Sequence, residues 1–517
     1  MYKKSPITLL IVLNCGILFG WNLVPSTSLW ISWLSIAMLW EGLTFHPRIR
    51  PQSITIKGVL ASSLWGLITI LVSHRWLLWL HPLGWIGVPN FLSRITSLVI
   101  WLGSAICGAL LVGSWAILAI WLDPRRPLSA FILAGLWGIG EVLLAKGPLF
   151  WIGVGASVVP SDRTLASFAA LGGMGILATI QLLIGWTLWK IIVKSGYSEK
   201  NSSFSLLSWL TILAFLHLLS YSQMKLIEYR TTNQTLSTSS NKYERVLLWQ
   251  PSIPTREKFQ SREQIKLLSR LKAVEAYSKA LSIPLILAPE GTLDLDNFPD
   301  KMPTIELLTG GLHRSQNHIY SGVLDFSPTQ DKTVAWINKR RLVPLGEWIP
   351  FKNSWQWSGL SALGGIDQGE PSRILNREEE PIGVAICYEI TDGTAMAAAT
   401  NNGANWVLVL ANLDPYKGLV QKQLEALSQL RSIETGRWVV TLGNTGPSSI
   451  INPKGIGENI LPAFLPVIGI MELEKMNHFT PYDIFGEWFL VIMIFGAGLI
   501  LATSKSTKLL PINTSPE

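Results

Sequence analysis

The chain is poor in cysteine and in charge. Its 517 residues contain three cysteines, Cys15, Cys107 and Cys387, too few and too scattered for a disulfide framework or a metal site. Charged residues make up only 15% against 49% hydrophobic, a balance that argues against an ordinary water-soluble protein and for a membrane one. A cleavable signal peptide is also missing, because the first apolar run has no obvious small-residue processing site and is followed by further runs. The net charge of +8 has no nucleic-acid motif beside it. Its basic residues sit largely in short flanks between apolar runs, where they act as orientation signals and attract lipid headgroups. No nucleic-acid partner is expected.

What the chain does have is apolar length. Residues 1–222 form a series of apolar runs, each near the roughly 20 residues that cross a bilayer. Seven spans are expected, centred near Leu13, Ile36, Leu64, Ile106, Gly135, Ile176 and Leu213. The run over 92–122 is long for one span, and residues 76–89 read as an interfacial or re-entrant piece. Lys3 and Lys4, then Arg48, Arg50 and Lys57, then Arg125 and Arg126, then Lys190 and Lys194 fall at alternate span ends. The positive-inside rule then places the N-terminus in the cytoplasm and residue 225 outside. An eighth span is expected at 485–504, leaving 505–517 as a cytoplasmic tail.

Between these membrane parts, 223–244 reads as a polar linker and 245–475 as a soluble domain. Strand-like runs at 246–250, 284–288, 319–324, 333–338, 382–386, 406–410 and 438–442 alternate with helical patterns at 261–282 and 419–434. Such alternation argues for an α/β domain.

Three of the strand-like runs end on an ionisable group. Pro381-Ile382-Gly383-Val384-Ala385-Ile386 leads into Cys387-Tyr388-Glu389, and Cys387 lies in the water-soluble stretch, unlike Cys15 and Cys107. Alone, this segment fits either a packed core cysteine or a nucleophile presented at a strand tip. Leu285-Ile286-Leu287-Ala288-Pro289 leads into Glu290, and Thr333-Val334-Ala335-Trp336-Ile337-Asn338 leads into Lys339. Taken singly, Glu290 reads equally as a solvated strand-end acid, Lys339 as part of a basic surface run and Glu347 as a loop acid. Together they make chemical sense. A thiol needs a base to become a thiolate, and an ammonium can stabilise the oxyanion formed when sulfur attacks a carbonyl.

Pro289-Glu290-Gly291, then Asn338-Lys339-Arg340-Arg341-Leu342-Val343-Pro344-Leu345-Gly346-Glu347, then Ile386-Cys387-Tyr388-Glu389 resemble the carbon–nitrogen hydrolase (nitrilase) superfamily. Within it the long middle motif and the Cys-Tyr-Glu resemble the apolipoprotein N-acyltransferase family. The resemblance implies an αββα sandwich beside a helical membrane bundle of about eight spans. It implies Glu290 as general base, Lys339 as oxyanion holder with the backbone N–H of Tyr388, and Cys387 as the thioester-forming nucleophile. Glu347, Tyr388 and Glu389 are implied as supporting residues, and Phe259 as the aromatic of the substrate-facing part. No metal or cofactor is implied. The implied partners are a phospholipid acyl donor and a diacylglyceryl apolipoprotein acceptor, met on the periplasmic face of the bacterial inner membrane.

The resemblance spans almost the whole chain. Trp137, Glu141 and Gly147-Pro148-Leu149-Phe150-Trp151 match a family segment loosely, and Ser432-Ile433-Glu434-Thr435-Gly436-Arg437 with Asn444-Thr445-Gly446 match another. A charged Glu141 in a span would either pair internally or meet a lipid headgroup. Departures fall at 412–417, where many members carry Asn-Asp-x-Trp-Phe, at Phe259, where a tryptophan is usual, and at Ser432, where an arginine is usual. Two rival readings stay open: a membrane-tethered amidase or hydrolase using water, and an inactive lipid- or lipoprotein-binding scaffold. Residues 348–365 are the expected lid.

Overall fold

The computed structural model describes residues 6–23, 28–43, 56–84, 88–196, 206–234, 243–258, 261–293, 303–316, 318–328, 335–343, 347, 366–414, 416 and 418–506. The expected lid at 348–365 and the expected contact residue Phe259 lie outside the described residues.

The first half is helical: α1 (Pro6–Asn22), α2 (Leu29–Leu43), α3 (Ile56–Ser73), α4 (Asn90–Trp121), α5 (Pro127–Ala145), the one-turn α6 (Arg163–Ala166), α7 (Ala169–Gly196) and α8 (Leu206–Gln234). Among the described residues, α3, α4, α5, α7 and α8 are long and apolar enough to cross a membrane, while α1 and α2 are apolar but shorter. The long run at 92–122 is one helix of 32 residues. The outward faces of α4 and α8 carry Phe91, Val99, Leu110, Leu207 and Leu218, all more than half exposed, apolar surface that suits a lipid environment. Tryptophan indoles tie the helices together by donating to carbonyls of other segments. Trp40 bonds Leu182 at 3.0 Å, Trp115 bonds Leu133 at 2.8 Å and Trp186 bonds Pro124 at 2.7 Å.

One boundary differs from the sequence reading. The expected linker at 223–244 is helical as far as Gln234, because α8 continues 12 residues beyond position 222. Residues 223–234 contain neither glycine nor proline to stop a helix. Lys225 pairs with Glu228 at 2.9 Å, and Glu228 also meets Lys454 at 3.0 Å, so the polar turn is held by ion pairs.

The second half is two packed sheets. β1 (Tyr243–Gln250), the one-turn α9 (Thr255–Lys258), α10 (Ser261–Ala280), β2 (Leu285–Leu293), β3 (Glu306–Ser315), β4 (His318–Phe326) and β5 (Ala335–Asn338) come first. β6 (Ile374–Leu375), β7 (Ile382–Ile386), α11 (Gly393–Asn401), β8 (Val407–Ala411), α12 (Gly418–Thr435), β9 (Val439–Gly443), β10 (Ser448–Ile451), β11 (Gly457–Leu461) and β12 (Val467–Glu474) follow. One sheet runs β12-β1-β2-β3-β4-β5, the other β11-β10-β9-β8-β7-β6. The apolar faces of the sheets meet through Val246, Leu287, Leu308, Val384, Leu408 and Val440. α10 covers the first sheet through Leu267, Leu271 and Val274. α12 covers the second through Leu424, Leu427 and Leu430. The result is the expected αββα sandwich. Both faces of the central strands are buried, which is why β7 and β8 read as unbroken apolar runs.

The sandwich is packed against the helices rather than strung from them. Met174 and Leu177 of α7 share a core with Leu427 and Leu430 of α12. α13 (Pro481–Phe485) then leads the chain into α14 (Trp488–Ser506), whose apolar part, Trp488–Thr503, is shorter than the five longer apolar helices. Gly173 of α7 has φ of +68°, and a Cβ there would lie 2.5 Å from the ring of Tyr482. That contact needs glycine on both counts.

Candidate active site

Lys339 and Cys387 directly follow β5 and β7, whereas Glu290, expected at a strand end, lies inside β2, which continues to Leu293; the three meet at one end of the sandwich. Glu290 lies in β2 where the pairing with β3 shifts register between Ala288 and Leu293. A bulge of this kind re-aims a side chain. Gly310 on β3 makes the turn fit, since a Cβ there would collide with the Glu290 backbone. Lys339 follows the last residue of β5. Its N–H donates to the Ser321 carbonyl at 2.7 Å, and its own carbonyl accepts from Gly369 at 2.9 Å. Cys387 opens the 3-10 turn Cys387–Thr391 straight after β7, with φ of +57°. A non-glycine residue there is strained, and such strain persists only where surrounding bonds over-determine it.

The lysine is the centre of the cluster. Its side chain is 1% exposed, and Nζ donates to Glu290 Oε1 at 2.7 Å and to Glu347 Oε1 at 2.8 Å. Each carboxylate has its second oxygen occupied. Glu290 Oε2 accepts the Asn412 backbone N–H at 2.8 Å, and Glu347 Oε2 accepts that of Val343 at 3.0 Å. Burial disfavours the ammonium, but the two carboxylates outweigh it and hold Lys339 well above its usual range. Burial pushes the Glu347 carboxyl up, with Lys339 acting against it. Cys387 is half-buried within the field of all three groups. Burial raises its thiol first, the negative charges of Glu290 and Glu347 add to that, and Lys339 and the Tyr388 N–H oppose it. The resting cysteine is therefore a thiol, with a buried carboxylate and an ammonium beside it.

Glu389 braces the turn that carries the thiol. It is 2% exposed, and its Oε1 accepts the backbone N–H groups of Arg340 at 2.7 Å and Arg341 at 3.0 Å. Oε2 accepts Arg373 at 3.0 Å and the Ile386 N–H at 2.9 Å. One carboxylate thus joins the end of β5 to the end of β7. Tyr388 points the same way: its hydroxyl donates to the Leu342 carbonyl at 2.8 Å, and Arg341 lies over its ring at 4.6 Å. Burial raises the Tyr388 phenol to about 12.

Several contributors were not legible in the sequence. Arg373 has no motif around it, and the Asn412 N–H is a backbone group. Asn444, by contrast, lies in a matched segment. Its side-chain amide donates to the Ile253 carbonyl at 2.7 Å and to Asn412 at 3.1 Å, joining the loops after β1 and β8. Arg431 and Glu434 of the other matched segment form a buried pair at 3.1 Å within α12, away from the thiol. Glu141 pairs internally, accepting Trp137 Nε1 at 2.8 Å and the N–H groups of Val154 at 2.7 Å and Gly155 at 3.1 Å. Among the described residues no cluster of His, Cys, Asp and Glu could hold a metal ion.

Residues 302–457 match the carbon-nitrogen hydrolase family, a range that holds Lys339 and Cys387 and begins after Glu290. A protein of Prochlorococcus marinus (strain MIT 9313) named apolipoprotein N-acyltransferase is 38% identical over 506 residues, covering 95% of this chain and 95% of its own. One of the same name from Parasynechococcus marenigrum (strain WH8102) is 38% identical over 474 residues, 90% of this chain and 95% of its own.

Proposed function

The chain belongs to the apolipoprotein N-acyltransferase family, membrane enzymes that modify lipoproteins, and on that premise we propose that it works through a Cys387 thioester. Cys387 would take a fatty acyl chain from a phospholipid and pass it to the α-amine of an S-diacylglyceryl-cysteine lipoprotein. The observation that supports this is the Lys339 ammonium between two buried carboxylates beside the thiol, at 2.7 and 2.8 Å.

In the first half-reaction the thiol proton goes to Glu290 as sulfur attacks the ester carbonyl. The third N–H of Lys339 and the Tyr388 N–H receive the oxyanion. The ester C–O bond breaks, and Glu290 returns the proton to the leaving lysophospholipid. In the second, the lipoprotein amine attacks the thioester and loses a proton to Glu290. The C–S bond then breaks, an amide forms and the proton re-forms the thiol. Glu347 keeps Lys339 charged and aimed throughout. Donor and acceptor are both confined to the bilayer surface, so a site fixed against membrane helices meets them at raised effective concentration. The topology proposed with this reading has eight spans, with the sandwich on the periplasmic face of the inner membrane.

Intact mass of the detergent-purified protein after incubation with a phospholipid tests the reading, with Cys387→Ser as control. The expected result is a hydroxylamine-labile acyl adduct, absent in the control and discharged by a diacylglyceryl-cysteine peptide. No adduct across several phospholipids, with Cys387 still alkylatable, would favour water as acceptor and a small amide as substrate.

A further inference from the structure

The two halves of the cluster are tied to one point in the membrane part, the C-terminal end of α5. The last carbonyls of a helix have no partner within it and carry the negative end of its dipole. Here side chains of the sandwich meet one of them, at Ala145, and the carbonyl two residues past the helix, at Gly147. Thr391, fully buried at the end of the nucleophile turn, donates its hydroxyl to the Ala145 carbonyl at 2.8 Å. Arg341, two residues beyond Lys339, donates to the Gly147 carbonyl. The same guanidinium also donates to the Thr391 hydroxyl at 2.5 Å and stacks on Tyr388. One helix end therefore holds the segment after Lys339 and the turn that begins with Cys387.

That helix end is itself held. One turn earlier in α5, Glu141 gathers the N–H groups of Val154 and Gly155, closing the connection that follows the helix. The Phe150 carbonyl of that connection lies 3.2 Å from His74 Nε2, after α3. The carbonyls that Thr391 and Arg341 meet are thus fixed to the bundle and not to a free loop.

We propose that Arg341 and Thr391 are positioning residues which set the Cys387–Lys339 geometry by clamping both flanks to the end of α5. The membrane bundle is then a working part of the acyl-transfer site as well as its anchor. The inference rests on the acyl-transfer reading above. Misplacement by about 1 Å of a group aligned for reaction costs on the order of 100-fold in rate, and loss of one clamp bond should cost about tenfold.

The test uses the full-length protein in detergent with a phospholipid as donor. Thr391→Val removes the hydroxyl and keeps the shape, whereas Thr391→Ser keeps the hydroxyl. The rate of acyl-adduct formation is divided by the amount of Cys387 that iodoacetamide can label, so that misfolded protein drops out. Thr391→Val should lower this rate about tenfold at saturating phospholipid, with KM unchanged within about twofold, and Thr391→Ser should restore most of it. Arg341→Met should fall similarly, and the double variant no further than the worse single, since both belong to one clamp. Wild-type rates per labelled Cys387 in Thr391→Val and Arg341→Met would overturn the proposal. If the wild type forms no adduct, the acyl-transfer reading fails, and the clamp is read from the pH profile of Cys387 alkylation. Thr391→Val should shift that profile and Thr391→Ser should not; an unshifted profile overturns the clamp.

Discussion

Replacing Glu389 by glutamine should be far more damaging than its small change in shape suggests. The carboxylate accepts two backbone N–H groups on Oε1, and a third N–H together with Arg373 on Oε2. An amide has one acceptor oxygen, so either orientation turns an NH2 group toward buried donors. The Arg373 side chain is 3% exposed and would lose its only carboxylate among the described residues. Removing one member of a buried, hydrogen-bonded pair costs about 3–5 kcal/mol. At about 2–4 °C per kcal/mol for a domain of 150–250 residues, the melting point should drop by roughly 6–20 °C. Tryptophan fluorescence during heating of the detergent-solubilised protein would measure this. Acyl loading well below both transitions would show whether the turn is still held. Arg373→Met should be similarly harmful, and combining it with Glu389→Gln should recover part of the loss, because no charge is then left alone. A Glu389→Gln variant that melts within about 2 °C of wild type and loads at an unchanged rate would refute the bracing role.

Arg377 bridges Glu244 at 2.7 Å and Glu306 at 2.7 Å, at the opposite ends of the parallel strands from Cys387. Arg377→Met should lower stability by about 3–5 kcal/mol yet leave acyl loading per labelled Cys387 unchanged, as thermal melting and adduct mass would show. Asp325 is buried without a hydrogen-bond partner among the described residues, and burial pushes it up to about 7. The folded form holds this proton more tightly than the unfolded form, so stability falls as pH rises from about 4 to 7. Asp325→Asn should raise stability at pH 8 by up to ~4 kcal/mol, seen as a higher melting point, and lose that advantage near pH 4. Burial and two carboxylates hold the Cys387 thiol up, so its alkylation by iodoacetamide should keep rising beyond the ordinary thiol value of about 8.5. Lys339→Met should move that profile to higher pH and Glu347→Gln to lower, since the ammonium favours the thiolate and the carboxylate opposes it.

The parts of this molecule visible in its sequence are those carried by short-range pattern. The seven strand-like runs fall within, or overlap, β1, β2, β4, β5, β7, β8 and β9 because each is a compact apolar segment. β3 has no such pattern: Thr309-Gly310-Gly311 interrupts it, and Gly310 is where the Glu290 backbone comes close. β10, β11 and β12 lie among Gly, Pro and Asn that read as loop. Glu290, Lys339 and Cys387 were legible because each follows an apolar run inside a recognisable motif, although β2 continues past Glu290 to Leu293. The bonds that relate them were not. The Asn412 N–H, the Ala145 carbonyl and the Gly147 carbonyl are backbone groups with no sequence signature, and Arg373 reaches Glu389 across the fold. Residue 222 was taken as a span end because polarity rises there. Polarity alone does not end a helix whose charges pair along one face.

The divergent residues 412–417 separate two demands that a family motif combines. The Asn412 backbone N–H serves Glu290 at 2.8 Å, and any residue there can supply it. The Asn412 side chain meets Thr255 at 3.1 Å and Asp414 accepts the Thr255 N–H at 2.7 Å, fixing the loop against the segment after β1. These are the bonds that hold the general-base candidate, and they survive the change in sequence. Tyr416 does something different. Its ring meets Trp76 edge-on at 5.1 Å, in an apolar cluster with Phe150, Leu419 and Val420 at the junction of bundle and sandwich. Burial raises its phenol, and a thiolate at Cys387 would raise it further, so the ring lies within reach of the sulfur's charge. On the proposed reading, this apolar, aromatic wall between the membrane part and Cys387 is where an acyl chain would lie. On the proposed acyl-transfer reading, divergence at 412–417 alters the surface offered to the lipid and keeps the Asn412 N–H bond to Glu290.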